Sequence, residues 1–173
     1  VHFRDPGFTH KEDILTGANS ALAGGFTGVA CMPNTNPPID NAETVRYIIE
    51  KAAQTGVLVY PVGCITKGLN GEELCDYDEL KKAGAIAVSD DGKPVKNAGV
   101  MLEALKKAKE SGIPVISHCE DMDIIGKGII NKGKISEELN VDGMDRASED
   151  SITAREIALA ESCDGSIHIA HVS

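Results

Sequence analysis

Five short apolar runs rich in β-branched residues recur along the chain at nearly constant intervals. This rhythm restricts the fold more than any other feature of the sequence. The runs are Phe26–Met32, Val57–Ile65, Ala85–Ser89, Ile113–His118 and Ser166–Val172, and the first four begin 31, 28 and 28 residues apart. Each is almost uninterrupted, the pattern of a strand buried on both faces of a parallel sheet. Helix-spaced stretches lie between them: Lys11–Ala23 running into Gly24-Gly25, Ala42–Thr55 into Gly56, Ala98–Ser111 into Gly112, and Glu149–Cys163. A glycine in that place suits a helix C-cap. With Val1–Phe3 as the end of a first strand, strands and helices alternate, which means a parallel sheet with helices outside it. A doubly wound sheet and a (β/α)8 barrel both have this order. Eight units of this length need about 240 residues, so the 173 residues hold about six of eight barrel strands. The sixth is reached through a longer connection, Cys119–Ala147, which carries Gly126, Gly128, Gly133 and Gly143. It reads as an irregular or partly helical excursion over the strand ends.

Composition narrows the function classes. Apolar residues at 42% and charged residues at 25% exclude a disordered or low-complexity chain. The net charge of −10 argues against binding to nucleic acid or to an anionic membrane. No apolar run approaches the roughly 18 residues of a membrane span. Cys31, Cys64, Cys75, Cys119 and Cys163 are odd in number, widely spaced and without a C-x-x-C pair. They read as buried free thiols of a cytoplasmic protein, not as a disulfide set or zinc ribbon. The first residues show no basic n-region, so no signal peptide is expected. Both ends fall inside dense polar motifs, as in an internal fragment of a longer protein.

Those motifs sit where strands end. His2 and Arg4 follow the first strand, and Pro33-Asn34-Thr35-Asn36-Pro37 the second. Ser89-Asp90-Asp91-Gly92 follows the fourth, Ser117-His118-Cys119-Glu120 the fifth, and the sixth carries His168 and His171. The C-terminal ends of barrel strands share one mouth, where catalytic groups gather. A single strand-end histidine is more often a hydrogen-bonded core residue. Three imidazoles and a carboxylate at one mouth fit a zinc site. Asp90 and Asp91 alternate faces, so one of the two points inward. His168 and His171 are taken to share a face, which leaves open which is the ligand. Arg4 suits a bidentate carboxylate contact, and Asn34 suits either a second donor to it or an Asx-turn. Cys119 points away from His118 and reads as packing, while Glu120 shares the His118 face. His10 reads as a surface or capping residue.

The ordered set His2-Phe3-Arg4-Asp5-Pro6-Gly7, Gly24-Gly25-Phe26-Thr27, Met32-Pro33-Asn34-Thr35-Asn36-Pro37, Ser89-Asp90-Asp91-Gly92, Ser117-His118-Cys119-Glu120 and His168-Ile169-Ala170-His171-Val172-Ser173 resembles the type I dihydroorotases of the amidohydrolase superfamily. The resemblance covers essentially the whole chain. It implies a (β/α)8 barrel, here residues 1–173 as a partial barrel, with the remaining strands and a small β domain outside the chain. It implies a zinc-dependent enzyme, with one or two Zn2+ per subunit, that interconverts N-carbamoyl-L-aspartate and L-dihydroorotate in pyrimidine synthesis. Its metal ligands fall on His2, Asp91 (with Asp90 as the alternative), His118 and His171, and its carboxylate-binding pair on Arg4 and Asn34. Asp91 is also the catalytic-site residue within the chain. The first histidine of the family's His-x-His-x-Arg motif and its general-base aspartate fall outside residues 1–173, so the fragment alone is expected to be inactive. The implied partners are the small-molecule substrate, a second copy of the chain and aspartate transcarbamoylase. Two alternatives stand beside this function. One is a different cyclic amidohydrolase, such as an allantoinase or hydantoinase. The other is a non-catalytic dihydroorotase-like partner of aspartate transcarbamoylase.

Overall fold

The computed structural model describes residues 1–173. Its elements run α1 (Ile14–Ala23), β1 (Gly28–Cys31), α2 (Ala42–Ala52), β2 (Leu58–Gly63), α3 (Tyr77–Ala83), β3 (Ala87–Val88), α4 (Ala98–Ser111), β4 (Val115–Ser117), α5 (Met122–Ile125), β5 (Ile130–Asn131), α6 (Lys134–Glu138), β6 (Gly143–Met144), α7 (Ala147–Ser162) and β7 (Ile167–Ile169). Five strands form one parallel sheet in the order β1-β2-β3-β4-β7. Each lies inside one of the five apolar runs. Val1 adds a rung at the β1 edge: its amino group donates to Ala30 O, and Met32 N–H donates to Val1 O. The end of the expected first strand is therefore in place, although it forms no regular strand of its own. The curled sheet with helices along it is a partial (β/α) barrel.

Local chemistry starts and stops the helices. Asp13, Asn41, Asp76 and Asn97 each accept a backbone N–H of the first turn of α1, α2, α3 and α4, which satisfies donors that have no intrahelical partner. Gly84 and Gly112 end α3 and α4 in the left-handed conformation. Gly56 does not cap α2: that helix stops at Ala52 with Ala53 as its C-cap, and Thr55 Oγ1 closes the following turn on Ala52 O and Val57 O. The excursion after β4 is more ordered than expected. It holds two short helices and a two-stranded parallel sheet of β5 and β6.

The core lies between the strands and α1, α2, α3, α4 and α7. Ile48, Val45, Leu80, Leu105, Met101, Val88 and Val115 are at most 1% exposed. One charged group is anchored there too. The Asp5 carboxylate, fully buried, accepts from Ile14 N–H at 3.2 Å and Tyr47 Oη at 2.8 Å, and pairs with Lys51 Nζ at 2.6 Å. It thereby fixes the end of the first strand to the start of α1 and one face of α2. Removing one partner of a buried, hydrogen-bonded ion pair is costly. Asp5→Ala is expected to lower unfolding free energy by about 3 kcal/mol in urea titrations; a loss below about 1 kcal/mol would mean that Asp5 does not anchor this corner.

Candidate metal centre

Parallel pairing carries the ends of β3, β4 and β7 to the same edge of the sheet. The last rungs join Gly63 to Val88 and Ser117 to Ile169. Asp91, His118 and His171 follow within three residues of those rungs. One ligand atom from each lies within 4.8 Å of the other two. His118 Nδ1 and His171 Nε2 are 2.8 Å apart, with the rings edge to face. His171 Nε2 lies 3.9 Å from Asp91 Oδ2, and His2 Nε2 lies 3.8 Å from Asp91 Oδ1. Asp91 is nearly buried, with 6% of its side chain exposed, while His2 and His171 reach solvent at 36% and 54%. Asp91, His118 and His171 thus form one cluster, and His2 approaches it on the Asp91 side.

This donor set fits a metal ion. Zinc held tetrahedrally at 2.0–2.2 Å puts ligand atoms about 3.3 Å apart, and the observed separations of 2.8, 3.8 and 3.9 Å bracket that value. The close contact between two imidazoles requires one to donate, so a metal ion would take the place of that proton. On its other side, His118 Nε2 lies 3.0 Å from Glu120 Oε2, a carboxylate partner of the kind that orients ligating histidines. The i, i+2 spacing on one strand face was the sequence signal for it.

The structure separates Asp90 from Asp91. Asp90 turns the other way, with Oδ1 accepting from Ile65 N–H at 2.8 Å and Thr66 N–H at 3.1 Å, and with the Thr66 hydroxyl on Oδ2. Its task is to close the loop after β2. Burial pushes its carboxyl up to about 6, against the pull of those hydrogen bonds. His168 is also set apart. It stands three positions before His171, an odd offset, so along an extended strand they face opposite sides. The His168 side chain is exposed and makes no hydrogen bond. Cys119 is buried and Cys163 half-buried; all five thiols are free, as expected.

Arg4 and Asn34 lie at the first two strand ends. Arg4 adopts φ 56° and its guanidinium makes no ion pair. His171 is likewise left-handed at φ 36°. Non-glycine residues held there cost of order 1–3 kcal/mol and concentrate at functional sites. Asn34 Oδ1 lies 2.9 Å from His2 Nδ1, a contact between residues 32 apart that no local pattern could reveal. The two proline-rich loops bearing these residues clasp each other. Asn36 N–H donates to Pro6 O, and a Cβ on Gly7, at φ 91°, would stand 2.0 Å from Asn36 O. A cavity of about 590 Å3 opens beside His118 and His171, roofed by Met144, Lys132 and Arg146 of the excursion. Its size suits a small molecule.

A family model described as "Dihydro-orotase-like" matches residues 1–173. A protein of Citrifermentans bemidjiense named dihydroorotase is 55% identical over 174 residues, covering 100% of this chain and 41% of the relative. One of Acetivibrio thermocellus with the same name is 54% identical over 173 residues, covering 99% and 41%. The chain thus spans about two fifths of the length of these curated relatives. Among solved structures, the L-hydantoinase (dihydropyrimidinase) from Arthrobacter aurescens superposes with a TM-score of 0.80 at 20% identity, over 100% of this chain and 40% of that one. Dihydroorotase from Saccharomyces cerevisiae in complex with 5-fluoroorotic acid superposes with a TM-score of 0.63 at 15% identity, over 98% and 44%. At these identities the structures speak for the shared fold. No helix is long and apolar enough to cross a membrane.

The burial of Asp90 has a measurable sign. Its folded pKa, about 6, lies above the ordinary 3.8, so between these values the folded state holds a proton that the unfolded state has lost. The associated stability is present below about pH 4 and is lost as pH rises through 6. Asp90→Asn keeps the acceptor and removes the titration. Metal-free protein is expected to lose about 2–3 kcal/mol relative to this variant between pH 4 and 7, read from paired urea titrations.

Proposed function

This chain belongs to the dihydro-orotase-like family, and on that premise we propose that the protein carrying it is a metal-dependent dihydroorotase. It would interconvert N-carbamoyl-L-aspartate and L-dihydroorotate in pyrimidine synthesis. The observation that carries this is the approach of Asp91, His118 and His171 to within 4.8 Å of one another, beside His2, in a chain 55% identical to a named dihydroorotase. We assign His2, Asp91, His118 and His171 as ligands, and zinc as the metal, because imidazole nitrogen with carboxylate oxygen suits Zn2+. When bound, zinc supplies Lewis acidity, polarising an amide carbonyl and making water a nucleophile near neutral pH.

The chain's own residues do the rest of the positioning. Asp91 would offer a carboxylate oxygen to the metal from a nearly buried setting. Glu120 accepts from His118 and holds that ring in place. The unpaired guanidinium of Arg4 takes the free carboxylate of the substrate through two parallel N–H donors. That contact would fix the orientation of the substrate ring against the cluster, and orientation of this kind lowers the barrier. The cytoplasm is the setting that five free thiols suit. The protein partners carried by this reading are a second copy of the chain and aspartate transcarbamoylase. A purely non-catalytic role is disfavoured by the presence of His2, Asp91, His118, His171 and Arg4 together.

The intact, zinc-loaded protein is expected to turn over dihydroorotate and N-carbamoyl-L-aspartate and to leave hydantoin and allantoin unchanged. Turnover of hydantoin or allantoin alone would replace the proposal with the other cyclic amidohydrolases. Arg4→Ala should raise KM about 10–100-fold, the worth of a charge-assisted carboxylate contact, with a smaller change in kcat. Asp91→Ala should weaken zinc binding by at least about 100-fold, beyond the cost of losing an outer partner, measured by chelator competition.

A further inference from the structure

The Asn34 side chain touches the candidate centre at both ends. Its Oδ1 lies 2.9 Å from His2 Nδ1. An amide oxygen only accepts, so this bond places the imidazole proton on Nδ1 and the ring lone pair on Nε2. Nε2 is the nitrogen facing Asp91, at 3.8 Å. The opposite tautomer would turn an Nε2 proton toward Asp91 across a gap too long for a hydrogen bond, so it would satisfy one contact fewer. At the other end, Asn34 Nδ2 lies against the turn that follows Asp91: a Cβ on Gly92 would stand 3.2 Å from it. Glycine there, at φ 81°, leaves room for the amide.

We propose that Asn34 is a positioning residue for the metal centre, holding His2 in the Nδ1–H tautomer so that its Nε2 lone pair is directed beside Asp91. This rests on the reading of the cluster as a metal centre. It deepens that reading, because a carboxylate-binding asparagine would act on substrate alone. The two tasks belong to different atoms. Oδ1 serves His2, and the Nδ2 hydrogens remain free to donate to an anion. Asn34→Asp keeps an acceptor for His2 and loses the donor, whereas Asn34→Ala loses both, so the two substitutions separate the roles.

The test is zinc affinity of the intact protein without substrate, by chelator competition, for wild type, Asn34→Ala and Asn34→Asp. Asn34→Ala is expected to bind zinc about 10–100-fold more weakly, the usual cost of losing an outer partner, while Asn34→Asp stays within about 3-fold of wild type or binds tighter. Both should raise KM for dihydroorotate. Nitrogen-15 spectra of the metal-free protein give a second readout: His2 as the Nδ1–H tautomer in wild type and in Asn34→Asp, with that preference lost in Asn34→Ala. Equal zinc affinity in all three, with only KM changed, would overturn the inference and leave the metal centre standing. Absence of zinc binding by the wild-type protein would overturn both.

Discussion

Parallel hydrogen bonding between neighbouring strands is the constraint on which the rest of this structure depends. Each strand of the main sheet runs the same way, so every strand must be followed by a crossover back to the starting edge. The helices are those crossovers. The same rule delivers the strand ends to one edge, and Asp91, His118 and His171 meet there, with His2 beside Asp91, without any local sequence contact. Short strands suffice: β3 has two residues and β4 three, because the buried apolar side chains on either side hold them in register.

Holding the strand ends still is a separate task, and hydrogen-bonded polar groups carry it. Asp5 ties the first strand end to α1 and α2 through Ile14, Tyr47 and Lys51. Asp90 closes the loop after β2 on Ile65 and Thr66. Arg155, on α7, donates to Val95 O and Lys96 O and so secures the segment that follows Asp91. Around Asp5 and Asp90 the donors offset the desolvation of a buried carboxylate. At the mouth, the Arg4 guanidinium is left without an ion-pair partner.

Much of this was legible in the chain. The five apolar runs each contain a strand, and four helices fall where the apolar spacing put them. What escaped was short or non-local. Helix α3, which the alternation implies between the third and fourth strands but no apolar spacing located, has seven residues, and β5 and β6 have two each, too few for a period to show. Gly56 offered a helix stop that Ala53 supplies instead, since any residue can end a helix in the right-handed conformation when the following turn has partners. Tyr47 and Lys51 stand four apart on α2, a visible helical pair, yet their common partner Asp5 is more than 40 residues away.

The sequence by itself determined the alternation of strand and helix, the parallel sheet and the polar character of each strand end, because these follow from side-chain periodicity and local turn chemistry. It also narrowed the candidate ligands to a few neighbours. Only the tertiary structure decided between Asp90 and Asp91 and joined Asn34 to His2. Adjacent residues on a strand face opposite ways, and which face becomes the mouth depends on the twist and register of the whole sheet. That information is distributed over all the strands, and it exists only once they have paired.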